Sequence, residues 1–528
     1  MFKKDLITIF ILSTAAFLLS NFAQFWGILH TPSDMVFLGG HLPSSGEILS
    51  MVYSQMRDGE ILTKNLFTSE SQARIFFAPS YLPLVMLAKF LPFSDLQIFL
   101  LGKFFYSITF VFLFWKYLSL EIKNSTGKIW SCLLLLFSSG VGFLVNFFAP
   151  QSIDLWIPEA NVFHTILYTP SFIYFQIIIL GAFYVLSKFL SSRQKIYLLY
   201  LSFLLLLLAF EHQFSLFTVF LAVFLYLGFL QDRKGNPLSF LPSFLVTFGP
   251  ALLVIVGQFF LIKQYPDVEA WTKQTNLSNP SLFSFVTGFG LIGILAFKNI
   301  FTASWERMSP FYRLNLFWLL SSLLLVFSPL PFQRRFLEGV FIPLVIFAAP
   351  EISAIYQKGV LFFKRKTSLA GRLFLPVLFV LVSSTNLYLV YQDLTAFSRQ
   401  QQESPFFIYV EDQKGLAFLK ATSRESDIIL ADGFYSPLIP GLINRTVYFG
   451  HAVGTALTIN PEQKTFEVKG FFLEDNDYER KGFLKKNNIK YLFLGKKGAE
   501  AQDFGKWDEK KYLKKIYQGD GVKIFRVI

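Results

Sequence analysis

Four short stretches of this chain carry residue types able to act on a phosphate ester. The first is Leu29-His-Thr-Pro-Ser-Asp34, the opening of a loop that runs on to Phe77. Asp34 follows a long apolar segment closely enough to be held at headgroup level, within reach of a lipid-borne phosphate ester and an acceptor hydroxyl. That placement suits a general base. The competing reading of Asp34 is an N-cap for a short interfacial helix beginning at Met35. The second stretch, Gln151-Ser-Ile-Asp-Leu-Trp-Ile-Pro-Glu-Ala-Asn-Val-Phe-His164, has two acids, Asp154 and Glu159, and no Lys or Arg. Such a loop can offer oxygen ligands to Mg²⁺ or Mn²⁺, or it can be a solvated loop whose Trp156 and Pro158 sit in an aromatic belt. The third, Ala209-Phe-Glu-His-Gln213, puts Glu211 and His212 between two apolar runs. Ionisable groups so near hydrocarbon face a cavity or a partner, and His212 can donate to a sugar or phosphate oxygen with Glu211 orienting it. The fourth, Pro329-Leu-Pro-Phe-Gln-Arg-Arg-Phe-Leu-Glu-Gly339, sets two arginines side by side. A guanidinium chelates phosphate with a planar fork of donors. Because Arg334 and Arg335 point to different sides of a helix, one of them is expected on the phosphate; the alternative is a salt bridge to Glu338 or to acids of the earlier loops.

The elements that must position these residues are set by composition. Of the 528 residues 53% are hydrophobic, 67 are Phe, and only 16% are charged, which excludes a soluble globular or a disordered chain. The net charge of +13 belongs mainly to residues 1–399, with 28 Lys and Arg against 18 Asp and Glu, and has no nucleic-acid footprint. One cysteine, Cys132, excludes disulfides and cysteine-built metal sites. Apolar stretches at 6–29, 97–119, 129–149, 170–190, 196–211, 213–230, 238–262, 281–297, 314–330, 336–357 and 372–391 predict about eleven transmembrane helices. Segment 78–92, with three prolines and Lys89, is short for a span. Reading it as re-entrant or surface-lying puts Lys and Arg consistently in the inner loops, with the N-terminus cytoplasmic. Asp34, Asp154, Glu159, Glu211, Arg334, Arg335 and all five histidines (His30, His41, His164, His212, His451) then share the extracytoplasmic face.

After residue 398 the pattern changes to strand-helix alternation. Strands are expected at Asp427–Asp432, Thr446–Phe449 and Ile489–Leu494, helices at 411–422, 461–473 and 477–487, and a closing hairpin within Ile516–Phe525. The expected organisation is a polytopic all-α membrane domain, 1–398, and an extracytoplasmic soluble α/β domain, 399–528. Neither GxGxxG nor GxxxxGK[ST] occurs, so nucleotide binding has no support. Pro437, Pro440 and His451 fall in loops after strands, where α/β sheets often bind ligands.

The chain resembles the GT-C-type membrane glycosyltransferases. The resemblance rests on the early acid Asp34 in a long first outer loop, the acids of the second, the many spans and the soluble tail. It also rests on Asn65-Leu-Phe-Thr-Ser-Glu70, Asp154-Leu-Trp-Ile-Pro-Glu-Ala-Asn161, His212 and Arg334-Arg-Phe-Leu-Glu-Gly-Val-Phe-Ile-Pro-Leu344. It implies inverting transfer of a sugar from a polyprenyl-phosphate or pyrophosphate donor to an acceptor hydroxyl of a glycan, lipid or protein, at the plasma membrane. In that reading Asp34 is the base, with His212 and Glu211 beside it. Arg334, Arg335, Glu159, His30 and Glu70 contact substrate, and Asp154 with Glu159 hold any Mg²⁺ or Mn²⁺. The chain departs from the family in having one acid, not two, in the first loop and a five-residue spacing between Asp154 and Glu159. Two other classes compete: a lipid or polysaccharide transporter, and a membrane metallohydrolase using His30, Asp34 and His212, which would lack an HExxH motif.

Overall fold

The computed structural model describes residues 3–40, 46–146, 152–231, 241–266, 268–269, 280–330, 332–364, 369–399, 405–450, 458, 460–473, 476–498 and 505–528. His41 and His451 lie outside the described residues. The chain divides into two compact units. One comprises Met1–Phe22, Gln97–Gly257 and Asn276–Gln392; the other comprises Ala23–Leu96, Gln258–Thr275 and Asp393–Ile528. The loop that carries Asp34 and Glu70 therefore groups with the C-terminal segment.

The first unit is helical because its sequence is apolar: in hydrocarbon every backbone N–H and C=O must be satisfied inside the segment, which a helix does. Among the described residues, five helices are long and apolar enough to cross a bilayer: Asp95–Leu118, Ser125–Val145, Pro170–Ser192, Leu241–Gln264 and Leu282–Thr302. The bent pair Lys3–Ser20 and Phe22–Leu29 makes a sixth if it forms one span, and four shorter apolar helices accompany them. The protein is a multi-pass membrane protein. Pro170 and Pro310 open their helices at the first turn, where a missing N–H costs nothing. Inside, Phe183 stacks on Trp318 with ring centroids 4.0 Å apart. Segment 78–92 forms a nine-residue helix, Leu82–Phe90, too short to cross.

Two irregular stretches shape the region of interest. The span Ser125–Val145 breaks after Phe137 and resumes at Gly142, and in the break Val141 donates its N–H to Thr287 O at 2.8 Å. That close approach demands glycine at 140, where a Cβ would come within 2.1 Å of the same carbonyl. The apolar segment expected to start at 336 instead begins as a helix at Phe341, preceded by a 3₁₀ turn, Gln333–Leu337. Gly339 makes the junction at φ +77°, with Trp318 and Ile179 packed where a side chain would go.

In the second unit, strand β1 (Met35–Phe37) pairs antiparallel with β2 (Phe407–Tyr409). The helix considered at Met35 is thus a strand: the alternation of buried Met35 and Phe37 about half-buried Val36 packs one edge against Phe407 and Phe397. A four-stranded sheet runs β3 (Ile428–Ala431), β4 (Ile489–Leu494), β6 (Val522–Val527), β5 (Leu513–Gly519), with β3 and β4 parallel and the rest antiparallel. Residues of the early loop extend this framework, since Val447 donates to Leu66 O at 3.0 Å and Gly450 to Phe67 O at 3.0 Å. Asp412 is the polar linchpin: its buried carboxylate accepts from Tyr409 N at 3.0 Å and Lys496 N at 2.9 Å. Asp412→Ala would strand two backbone donors and is expected to cost about 2–3 kcal/mol, read from denaturant unfolding of the purified protein.

Candidate active site

The two adjacent arginines receive different surroundings. Arg335 Nη1 donates to Glu159 Oε1 at 2.6 Å, and the Glu159 side chain is 2% exposed. Its guanidinium lies over the Phe172 ring, 5.7 Å from the centroid. Arg334 has no carboxylate within ion-pair distance among the described residues; its guanidinium lies 5.3 Å from the centroid of Trp156, and its buried Nε has no acceptor. Burial opposes its charge, and the nearest relief is the field of Glu159, already shared with Arg335. Among the described residues the site therefore holds one neutralised cation and one without a paired anion.

Glu159 is held by a chain of hydrogen bonds through its own turn. Gln176 Nε2 donates to Thr165 Oγ1 at 2.8 Å, and Thr165 donates to Pro158 O at 2.6 Å. Asn161 caps the following helix and donates to Ser138 O at 3.2 Å. Glu338 follows Arg335 by three residues and is 1% exposed; its oxygens make no hydrogen bond of good geometry among the described residues, and the Gln176 amide is the side-chain donor beside it. Burial, with Glu159 nearby, lifts its carboxyl well above the ordinary carboxylate range.

His212 stacks on Phe175 at 4.3 Å, and its Nδ1 meets Ser215 Oγ at 2.7 Å. The expected orienting partner was Glu211; Ser215 takes that place because it lies one turn along the next helix. Glu211 is instead near enough to Tyr174 to act on its phenol. Burial, then Arg335, holds the His212 pKa down at about 3, so the ring is neutral. Its Nε2 is buried without a partner among the described residues. In the tautomer in which Ser215 donates to Nδ1, Nε2 carries the hydrogen and is a donor.

Asp154 and Glu159 do not converge on a cation. Asp154 accepts from Ser152 Oγ at 2.5 Å and Gly142 N at 3.3 Å, and Glu159 is taken by Arg335. Among the described residues no group of three or more His, Cys, Asp or Glu could hold a metal ion. A hard divalent cation needs several converging oxygens, and this donor set does not fit one. His164, buried beside Asp154, keeps its Nδ1 without a hydrogen-bond partner among the described residues.

The remaining predicted residues lie in the second unit. Asp34 opens β1: its carbonyl accepts from Val410 N at 2.9 Å, and its carboxylate is exposed. The Lys496 ammonium, held chiefly by Asp520 Oδ2 at 2.6 Å, also feels the Asp34 charge. His30 stacks on Trp26 at 3.7 Å, with Nδ1 3.0 Å from Trp26 O. Glu70 accepts from Thr458 Oγ1 at 2.7 Å and pairs with Lys464 at 2.9 Å. Lys464 also donates to Thr68 Oγ1 at 3.0 Å, so this hub stitches the early loop to the helix Pro461–Leu473. Lys464, Ser215, Thr165 and Gln176 were not singled out from sequence. Gln176, an amide inside an apolar run, was the one legible signal among them.

No family model matches the chain, and no curated protein matches it in sequence. Solved structures do match. ArnT from Cupriavidus metallidurans bound to undecaprenyl phosphate superposes with a TM-score of 0.54 at 10% identity, covering 100% of this chain and 99% of that one. The fold is that of the GT-C glycosyltransferases. The apo form of the same ArnT gives a TM-score of 0.53 at 10% identity over 98% and 97% of the two chains. The Archaeoglobus fulgidus oligosaccharyltransferase, in complex with Zn and sulfate, gives 0.51 at 14% identity over 91% and 67%. At such identities the likeness is one of fold, and the ligands belong to those proteins.

Proposed function

We propose that the protein is an inverting membrane glycosyltransferase that moves a sugar from a polyprenyl-phosphate carrier to an acceptor hydroxyl on the extracytoplasmic face of the plasma membrane. The observation that carries this reading is the half-buried Arg334 guanidinium on Trp156, without a carboxylate partner among the described residues, next to an arginine already neutralised by Glu159. A cation left in that state calls for an anion from outside the chain, and a lipid phosphate supplies one at the depth of the bilayer surface. The eleven-span topology with a cytoplasmic N-terminus remains part of the reading.

In the reaction the acceptor oxygen attacks the anomeric carbon as Asp34 takes its proton. The bond from that carbon to the phosphate oxygen breaks on the opposite face, and its electron pair leaves with the phosphate. Arg334 balances the growing charge, and neutral His212 offers Nε2–H as a second donor. Arg335 and Glu159 hold each other and keep the arginine turn in place. His30 and Glu70 are proposed contacts on the acceptor side.

A carrier of this kind never leaves the bilayer, which accounts for a membrane enzyme. The test is a panel of polyprenyl-phosphate sugars incubated with purified protein, scored for free polyprenyl phosphate. Release with at least one sugar supports the reading. If lipid crosses liposomes with its sugar-phosphate bond intact, the protein is a transporter instead.

A further inference from the structure

Both arginines would be available to a donor if Glu159 were absent, and the donor would then meet two cations. As built, Glu159 occupies Arg335 at 2.6 Å and is itself locked through Pro158, Thr165 and Gln176. Of the other groups facing this turn, Glu338 is fully buried with no cation of its own among the described residues and only the neutral Gln176 amide beside it, and His212 is a neutral ring stacked on Phe175. Asp154 is spent on Ser152 and Gly142, so the acids do not converge to recruit a divalent ion for a second phosphate. Two arginines and one carboxylate leave a single positive charge. A phosphodiester linking one sugar to one lipid carries a single negative charge, whereas a diphosphate diester carries two.

We propose that Glu159 is a specificity-determining residue: by occupying Arg335 it makes the site favour donors with one phosphate over lipid diphosphates. This rests on the reading of Arg334 as the phosphate ligand and assigns Glu159 a role that never requires it to touch substrate.

The experiment is competitive binding of undecaprenyl-phosphoglucose and undecaprenyl-diphosphoglucose, a mono- and a dianionic diester, to the full-length protein in detergent, with EDTA and again with Mg²⁺. Wild type is expected to favour the monophosphate by about tenfold, the effect of one charge-assisted hydrogen-bonding partner. Glu159→Gln frees Arg335 as a second cation and is expected to raise diphosphate affinity by about tenfold relative to monophosphate. Arg335→Gln breaks the same ion pair but adds no cation, so it must not raise diphosphate affinity. The double variant should restore the wild-type ratio. That contrast separates charge counting from simple disruption of the turn. An unchanged ratio in Glu159→Gln, an equal rise in Arg335→Gln, a wild-type preference for diphosphate, or a preference that reverses when Mg²⁺ is added would overturn the proposal. If Arg334→Ala binds both lipids as wild type does, the reading of the phosphate site falls, and this inference with it.

Discussion

Arg334→Ala is expected to lower kcat/KM for the lipid donor by about 100- to 1,000-fold while leaving the protein as stable as wild type. The loss is the size found when one preorganised donor to a developing oxyanion is removed. Stability should hold because Arg334 has no carboxylate partner to abandon among the described residues, and its burial works against its charge. Arg335→Ala should behave in the opposite sense. It leaves the Glu159 carboxylate, 2% exposed, without its cation, at a cost of about 3 kcal/mol or more. Activity assays and denaturant unfolding on the same two variants separate the roles. Equal destabilisation with equal loss of activity would mean that both arginines are structural.

Asp34→Asn is the second large effect. The amide has nearly the same shape but cannot accept the acceptor's proton, so turnover should fall by about 1,000-fold with little change in donor KM. The backbone bond from Val410 to Asp34 O is untouched by the substitution, and β1 should keep its pairing with β2. Measuring kcat and KM for donor and acceptor separately checks this. If kcat is unchanged, the base is another group.

The parts legible in the sequence were those fixed by local pattern. Apolar runs at 97–119 and 170–190 became Asp95–Leu118 and Pro170–Ser192, because length and composition alone decide what can span lipid. The closing hairpin was signalled by Gln518-Gly-Asp-Gly521, where Gly521 takes φ +71°. The helix considered at Met35 failed for a tertiary reason: its partner strand lies more than 370 residues away in sequence, and no local pattern reports it. The split between the two arginines was foreseen only as a choice. Which one takes Glu159 depends on where the 3₁₀ turn Gln333–Leu337 aims each side chain, and the sequence had suggested the start of a regular helix there. The pairing of Asp154 with Glu159 as ligands was read from their spacing alone, whereas Asp154 accepts from Ser152 and Gly142 and Glu159 is held by Arg335.

The most direct measurement is a cryo-EM map of the protein in nanodiscs with undecaprenyl phosphate added. The account predicts phosphate density within hydrogen-bonding distance of the Arg334 guanidinium, beside Trp156, with the Glu159–Arg335 pair intact. Phosphate density away from Arg334, or on Arg335 with Glu159 displaced, would contradict it.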